Sequence, residues 1–286
     1  MRCDYSTSAG STLYLSLWCR RVADRWAADD RRVRSWCCGW PRGAVRSRLL
    51  SSTRREGTAE QLVRLARDRR GEISLFALGP LTNLAHALTI EPELPMLLHE
   101  VVWMAGRDRV PGNITSQVDT DTWHDPEAAH AVLGAGFRMT MVLMDATNHA
   151  WAGEQWFGRL ARHGSRQATY AHDVVGHYLD FYSRFDVTRR GERGCLMQDP
   201  MAAVLLVEAE MATFENHAVS VELAGTYTRG MTVVDLRGYD TTMDPTSSRP
   251  PIRVATKVDH VGTKTLVIDS FTSRSGDINT TDQISA

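Results

Sequence analysis

The sequence predicts an α/β protein built on an open, mostly parallel, Rossmann-like sheet that is flanked by helices. From Thr58 onward, short apolar segments alternate with longer segments in which apolar residues recur at helical spacing. This alternation is typical of parallel strands that are connected by helices packed on the faces of the sheet. A length of 286 residues and a hydrophobic content of 43% are enough to form a large buried core.

The first half of this region predicts three strands with helices before and between them. The segment "TAEQLVRLARDRR" (58–70) carries Leu62, Val63, Leu65 and Ala66 on one side and charges elsewhere, which predicts an amphipathic helix. Strands are predicted at 73–78, 101–106 and 138–147, and helices at 79–88 and 125–136.

The second half predicts two helices and then a β-rich end. The helices are predicted at 168–185 and at 199–210, the latter opened by Asp199 and Pro200, and strands at 217–225, 230–238 and 252–258. Ligands of parallel sheets bind at the carboxyl ends of the strands. We therefore expect the chemistry in the loops after Leu78, Ala105 and Met144.

Residues 1–56 differ in composition from residues 57–286, and we predict a boundary between them. The first segment holds 12 arginines, four of the eight tryptophans and four of the five cysteines, and it shows no lasting periodicity. It could be a basic nucleic-acid arm. Lysine occurs only at Lys257 and Lys264, which indicates GC-rich coding DNA. Because out-of-frame reading of such DNA tends to give arginine, tryptophan and cysteine, the preferred interpretation is a disordered or frameshifted start.

The bulk composition predicts neither a nucleic-acid partner nor a membrane partner. The formal net charge is −1, and no apolar run approaches the roughly 20 residues of a membrane span. The short stretch "STLYLSLW" is broken by serine and threonine, so we do not interpret it as a signal peptide. Reduced thiols and a cytoplasmic location are expected.

The acidic stretch "VDTDTWHDPEAAH" (118–130) divides into two parts. Asp125, Pro126 and Glu127 have the pattern of a helix N-terminus, with an aspartate cap followed by proline. Asp119 and Asp121 lie on the preceding loop, at the edge where ligands are expected, and a site role and a structural role remain open for both.

Four segments, taken in order, carry a resemblance to a known family. They are "ALGPLTNLAHAL" (77–88), "VVWMAGRDRVPGNIT…DPEAAHAV" (101–132), "CLMQDPMAAVLL" (195–206) and "TRGMTVVDLRG" (228–238). Together they resemble the inosine–uridine-preferring nucleoside hydrolases. The resemblance implies a calcium-assisted enzyme of nucleoside catabolism and salvage that cleaves the N-glycosidic bond of ribonucleosides to ribose and free base. It also implies a small-molecule ribonucleoside as partner and a tendency to form homo-oligomers.

The resemblance implies that Asp199 and the backbone carbonyl of Leu78 are calcium ligands. The family's remaining ligands, and its water-activating base, come from an N-terminal Asp-x-Asp-x-x-x-Asp-Asp loop that is missing here, since "AADDRR" (27–32) does not match it. Calcium takes about six to eight oxygen ligands. One carboxylate and one carbonyl would hold it poorly.

The resemblance also implies substrate contacts. Asn113 matches a ribose contact and Met104 matches a retained position at the strand end. Asp119 and Asp121 stand where relatives carry a glutamate and an asparagine that hold the ribose. Tyr182 falls where an aromatic side chain lies near the base, although core packing is the alternative for a helical aromatic.

Gln198 stands where relatives often carry a histidine that protonates the leaving base. Glutamine can form hydrogen bonds with a base but cannot donate a proton as an acid. Asp145 is retained from an Asp-x-Thr pattern, with a structural and a catalytic role both open. We expect slow or absent hydrolysis by this chain, and the alternative to a hydrolase is an impaired remnant that at most binds a nucleoside.

Overall fold

A computed structural model of the chain describes residues 57–185, 192–237 and 249–272. The predictions for residues 1–56, including the paired acids of "AADDRR", lie outside the described residues. The helices are α1 (Thr58–Asp68), α2 (Thr82–Ile90), α3 (Leu94–Leu97), α4 (Thr120–His124), α5 (Pro126–Leu133), α6 (Met144–Thr147), α7 (Glu154–His163), α8 (Arg166–Phe185), α9 (Gln198–Val207) and α10 (His260–Thr272). The strands are β1 (Ser74–Ala77), β2 (Glu100–Met104), β3 (Met139–Val142), β4 (Trp151–Gly153), β5 (Gly194–Leu196), β6 (Ala212–His217), β7 (Val219–Val221), β8 (Thr232–Val234) and β9 (Ile252–Val258).

The central sheet is mostly parallel, which confirms the predicted α/β class. Its five strands follow the order β1-β2-β3-β9-β6. The pairs β1–β2, β2–β3 and β3–β9 are parallel, and β6 pairs antiparallel with β9 at one edge. The short hairpins β4–β5 and β7–β8 stand outside this sheet. The carboxyl ends of β1, β2, β3 and β9 therefore meet along one edge.

The sheet has a helix layer on each face, because successive strand residues point to opposite sides. Val101 and Trp103 of β2 are buried on the face that is covered by α1, α2 and α5. Val102 and Met104 of the same strand are buried on the other face, against Ala202 and Leu205 of α9. The unbroken apolar runs of the predicted strands follow from this two-sided burial.

A separate apolar cluster lies beside the sheet and contains α7, α8 and α10. Phe157, Leu160, Leu179 and Ile268 pack there with Cys195. Burial raises the pKa of the Cys195 thiol to about 12, so this cysteine behaves as a small apolar core residue. No helix within the described ranges is long and apolar enough to cross a membrane.

Two predicted boundaries were wrong near the carboxyl edge. The strand predicted to run to residue 147 ends at Val142, and Met144–Thr147 forms the short helix α6. Helix α9 begins at Gln198 with Met197 as its N-cap, so Asp199 lies inside the first turn and does not cap the helix.

Candidate active site

Most of the predicted site residues lie at or after the ends of two parallel strands and at the start of α9. Leu78 follows β1, Met104 ends β2, and the loop after β2 leads through Asn113 to α4. Asp199 lies in the first turn of α9, which packs against β2. The fold thus brings segments from distant parts of the chain to the edge where parallel sheets bind ligands.

Asp119 is a buried N-cap of helix α4. Its side chain is 4% exposed. One carboxylate oxygen accepts a hydrogen bond from the backbone N–H of Asp121 (2.9 Å), and the other accepts from the N–H (3.4 Å) and the hydroxyl of Thr122. Burial raises the pKa of Asp119, while these hydrogen bonds act in the opposite direction. The carboxylate therefore has a structural role whatever it binds.

Asp121 is the most strongly perturbed carboxyl group at this edge. Its pKa lies well above the ordinary value, first because of burial and then because of repulsion from Asp119 and Asp199. These interactions place Asp121 near both other acids, although 78 residues separate it from Asp199. No lysine or arginine is among the groups that shift this pKa. Burial and the two neighbouring acids oppose the ionised form of Asp121, and a nearby cation would favour it.

Asp199 combines access to solvent with a desolvated environment. Its side chain reaches water, yet the surrounding protein atoms displace part of its hydration and raise its pKa to about 6. Carboxyl groups whose pKa is raised by desolvation are candidates for functional sites.

Asn113 is held against the start of α4. Its side-chain oxygen accepts hydrogen bonds from the N–H (2.8 Å) and the hydroxyl (3.1 Å) of Thr120. The side-chain NH2 group of Asn113 has no hydrogen-bond acceptor among the residues that the structure describes. It therefore remains free to donate to a ligand.

Tyr182 lies on α8 and pairs with Tyr178, a residue that the sequence analysis missed. The Tyr178 hydroxyl donates to the Tyr182 hydroxyl at 3.3 Å, and the ring centroids are 4.7 Å apart. Burial raises the pKa of Tyr178, with smaller contributions from Tyr182, Cys195 and Asp199. The spacing of four residues on a predicted helix was the signal that could have identified the pair.

Gln198 is oriented by a residue on a neighbouring element. Its side-chain N–H donates to the side-chain oxygen of Asn148 at 3.2 Å, directly after α6. Helices α6 and α9 thus meet beside Asp199. Asp145, also on α6, accepts hydrogen bonds from the N–H groups of Asp108 and Arg109, both at 2.7 Å. Its carboxylate holds the loop after β2, which is a structural role.

Asp125 caps α5, as predicted. Its carboxylate accepts a hydrogen bond from the N–H of Ala128 at 3.0 Å and another from the hydroxyl of Thr82. His124 ends α4, where its ring nitrogen lies 2.6 Å from the carbonyl oxygen of Thr120. Both residues are thus engaged in local structure.

The described residues do not complete a calcium site. Within them, no group of three or more histidine, cysteine, aspartate or glutamate side chains is arranged to hold a metal ion. Asp199 and the Leu78 carbonyl would supply few of the roughly six to eight oxygens that calcium takes. The charge of this edge favours a cation, but the described ligand set falls short.

The fold and this edge define a class of protein: an open α/β domain with carboxylates, amides and aromatic rings at the carboxyl ends of parallel strands. Residues 33–265 match the model of the inosine-uridine preferring nucleoside hydrolase family, and the chain belongs to that family. The match begins within the segment 1–56.

Individual relatives agree with this assignment. The chain is 32% identical over 205 residues to the inosine-uridine preferring nucleoside hydrolase of Crithidia fasciculata and 34% identical over 205 residues to that of Leishmania major. In both comparisons the alignment covers 72% of this chain and 61% of the relative, so the chain spans about three fifths of their length. A solved plant nucleoside hydrolase shares the fold with a TM-score of 0.69 at 24% identity, over 76% of this chain and 67% of its own.

Proposed function

We propose that the protein binds a ribonucleoside at the carboxyl edge of its sheet and slowly hydrolyses the N-glycosidic bond to ribose and free base. The observation that carries the proposal is that burial and the charges of Asp119 and Asp199, which come from two distant segments, raise the pKa of Asp121. The family membership supports the reaction class.

The ribose would lie over the start of α4. The free side-chain N–H of Asn113 can donate to a sugar hydroxyl, and the Asp121 carboxyl group can accept from another. Asp119 acts mainly by fixing the first turn of α4, because both of its oxygens already accept hydrogen bonds there. A sugar with neighbouring hydroxyl groups matches this mixture of donors and acceptors.

The base would lie toward α8 and the start of α9. Tyr182 and Tyr178 offer aromatic surface for a planar ring, and Met104 offers a buried apolar wall at 5% exposure. Gln198 can donate and accept hydrogen bonds at the edge of the base but cannot protonate it. Departure of the base is therefore not assisted by a side-chain acid at this position.

The carboxylates suit the chemistry of N-glycoside cleavage. Loss of the base leaves a sugar with oxocarbenium character, and nearby negative charge stabilises that developing positive charge. When a metal is bound, it supplies a fixed site for water and ribose hydroxyls, and Asp199 and the Leu78 carbonyl would be among its ligands. Calcium is the ion that the resemblance implies, and the shortfall of ligands among the described residues is the reason to propose slow turnover.

A second candidate is a protein that binds the nucleoside without cleaving it. The incomplete metal-ligand set and Gln198 in place of a histidine favour this alternative. Both candidates share a small-molecule ribonucleoside as the partner, and the net charge of −1 favours neither nucleic acid nor an anionic membrane. A cytoplasmic location and a homo-oligomer belong to the same proposal.

One experiment separates the two candidates. The full chain is incubated with inosine or uridine, with calcium or with EDTA, and base release is followed by chromatography while binding is measured by calorimetry. Base release above the rate in buffer supports the hydrolase, and a calcium-dependent rise in melting temperature would support metal assistance. Binding without release supports the second candidate. Neither binding nor release would contradict both.

A further inference from the structure

The segment "TRGMT" (228–232) has no part in the chemistry proposed above, yet it contacts the sugar-binding elements directly. Its first four residues end the turn between β7 and β8, and Thr232 begins β8. Gly230 has φ of +89° and packs so closely on α4 that an added Cβ would lie 2.9 Å from the Val118 side chain and 3.2 Å from the Trp123 backbone. Glycine is therefore required where this turn meets the helix that follows Asp119.

Thr232, directly after this turn, is bonded to the backbone of Arg107 at the start of the loop after β2. The threonine hydroxyl accepts a hydrogen bond from the Arg107 N–H at 2.9 Å and donates to the Arg107 carbonyl oxygen. Thr232 is 4% exposed. If its hydroxyl were removed, the N–H and the carbonyl of Arg107 would lose their hydrogen-bond partner, and water could not replace it.

The Arg107 side chain forms hydrogen bonds with residues at both ends of the same loop. It is 9% exposed and donates to the carbonyl oxygens of Asp108 and Gln117 (both 2.8 Å), to the Gln117 side-chain oxygen and to the sulfur of Met231 (3.3 Å). No carboxylate pairs with this guanidinium among the described residues. A buried cation that bonds mainly to backbone carbonyls fixes the chain path of the loop instead of neutralising an acid.

The loop held in this way is the one that carries the sugar contacts. It runs from Arg107 to Val118, contains Asn113, and is followed directly by Asp119. Gly106, directly before Arg107, also lies close enough for its N–H to lower the pKa of Asp119. Asp145 holds the outer part of the loop through the N–H groups of Asp108 and Arg109.

We propose that Thr232 and Arg107 are positioning residues for the sugar site, which tie the loop 107–118 to the β7–β8 turn so that Asn113 and Asp119 meet the ribose in one fixed arrangement. The inference rests on the proposed binding of a ribonucleoside. It adds two residues that never touch the substrate, and it assigns a purpose to the "TRGMT" segment.

The test compares three variants of the full chain. Thr232→Val removes the hydroxyl at nearly constant volume, and Thr232→Ser keeps it. Thr263→Val is the matched control. Thr263 lies on α10, is also buried (1% exposed), and its hydroxyl donates to the backbone carbonyl oxygen of Asp259 at 2.7 Å. The Kd of inosine is measured by calorimetry, and the backbone exchange of residues 107–118 by hydrogen–deuterium exchange.

We expect Thr232→Val to raise the Kd of inosine by roughly tenfold or more and to speed exchange in the loop, because a small displacement of positioned groups has large effects. The Kd of inosine for Thr232→Ser should lie within about twofold of that for the unaltered chain. The same holds for Thr263→Val, even if the melting temperature of that variant falls. If Thr232→Val does not fold, Arg107→Lys, which keeps the charge but loses the planar fork, should weaken binding in the same way.

Equal Kd values for Thr232→Val and Thr263→Val would overturn the inference and leave the proposed function standing. If the Thr232→Val variant is unfolded, equal Kd values for Arg107→Lys and the unaltered chain would do the same. Absence of inosine binding by the unaltered chain would overturn both.

Discussion

A single carboxyl group, Asp121, dominates the electrostatics of the candidate site. It sits beside two other acids, and burial together with their charges raises its pKa well above the ordinary value. The resemblance places an amide at this position in relatives, which needs no proton to donate a hydrogen bond. Asp121 reaches the same donor capacity only when it is protonated.

This leads to a prediction for Asp121→Asn. Folding raises the pKa of Asp121, so the ionised side chain costs stability that grows as the pH rises from about 4, the unfolded value. The asparagine variant should therefore be more stable than the unaltered chain at pH 8, by an amount on the order of 1 kcal/mol, and should lose this advantage at pH 4. Urea unfolding at both pH values measures the difference. A destabilised variant at pH 8 would contradict the prediction.

Asp125 illustrates a residue whose role follows from local sequence alone. The order Asp-Pro-Glu before an apolar helix predicted its N-cap, and the bond to the Ala128 N–H confirms it. Asp119 has the same role for α4, but the sequence around it contains neither a following proline nor an apolar periodicity that would have predicted this helix. The interaction of Asp121 with Asp199 could not be derived from periodicity, because it depends on how β2 and α9 pack.

The cap of α5 supports a second prediction. Asp125→Ala removes the acceptor for the Ala128 N–H and for the Thr82 hydroxyl, so we expect a loss of about 1 to 2 kcal/mol in unfolding free energy. Asp125→Asn is the control, since its side-chain oxygen can still accept from the backbone and should lose less than half as much. Equal losses for the two variants would show that the charge, and not the cap, stabilises the helix.

At the scale of elements, the helices and strands with strong periodicity were predicted well, and the short or irregular ones were not. Strands β1, β2 and β9 and helices α1, α5 and α8 lie where apolar spacing placed them. The antiparallel edge strand β6 has alternating half-exposed residues that are weakly apolar, so its pattern was not recognised. Helix α6 replaced the end of a predicted strand, because an apolar run does not distinguish a strand from a buried turn of helix.

The end of β2 gives a prediction at this scale. Gly106 has φ of +76°, and a Cβ there would lie 2.5 Å from the Met141 side chain and 2.9 Å from that of Thr232. Gly106→Ala should destabilise the chain by roughly 2 to 4 kcal/mol, through backbone strain and overpacking together. Gly71→Ala is the matched control, with φ of +73° and open space around it, and should lose only about 1 kcal/mol. Thermal unfolding measures the loss of unfolding free energy in both variants. Similar losses for Gly106→Ala and Gly71→Ala would refute the role of packing at Gly106.

At the scale of the whole molecule, one parallel sheet gathers the candidate site from residues that are far apart in the sequence. Its carboxyl edge holds the acids and the oriented Gln198, and the β7–β8 turn holds the loop 107–118. Tyr182 of the tyrosine pair packs against the apolar cluster beside the sheet. The chain spans about three fifths of the relatives to which it is similar, 61% in two of them. The division at residue 56 remains a prediction, since it lies beyond the described residues.

The release of base from inosine by the purified chain, compared with that by Asp199→Ala in the same calcium buffer, tests the account most directly. The alanine variant removes the carboxylate that contributes to the raised pKa values of both Asp121 and Tyr178. We expect slow hypoxanthine release by the unaltered chain, above the rate in buffer, and none above that rate by the variant. Release that is equal in the two proteins, or that does not exceed the rate in buffer, would contradict it.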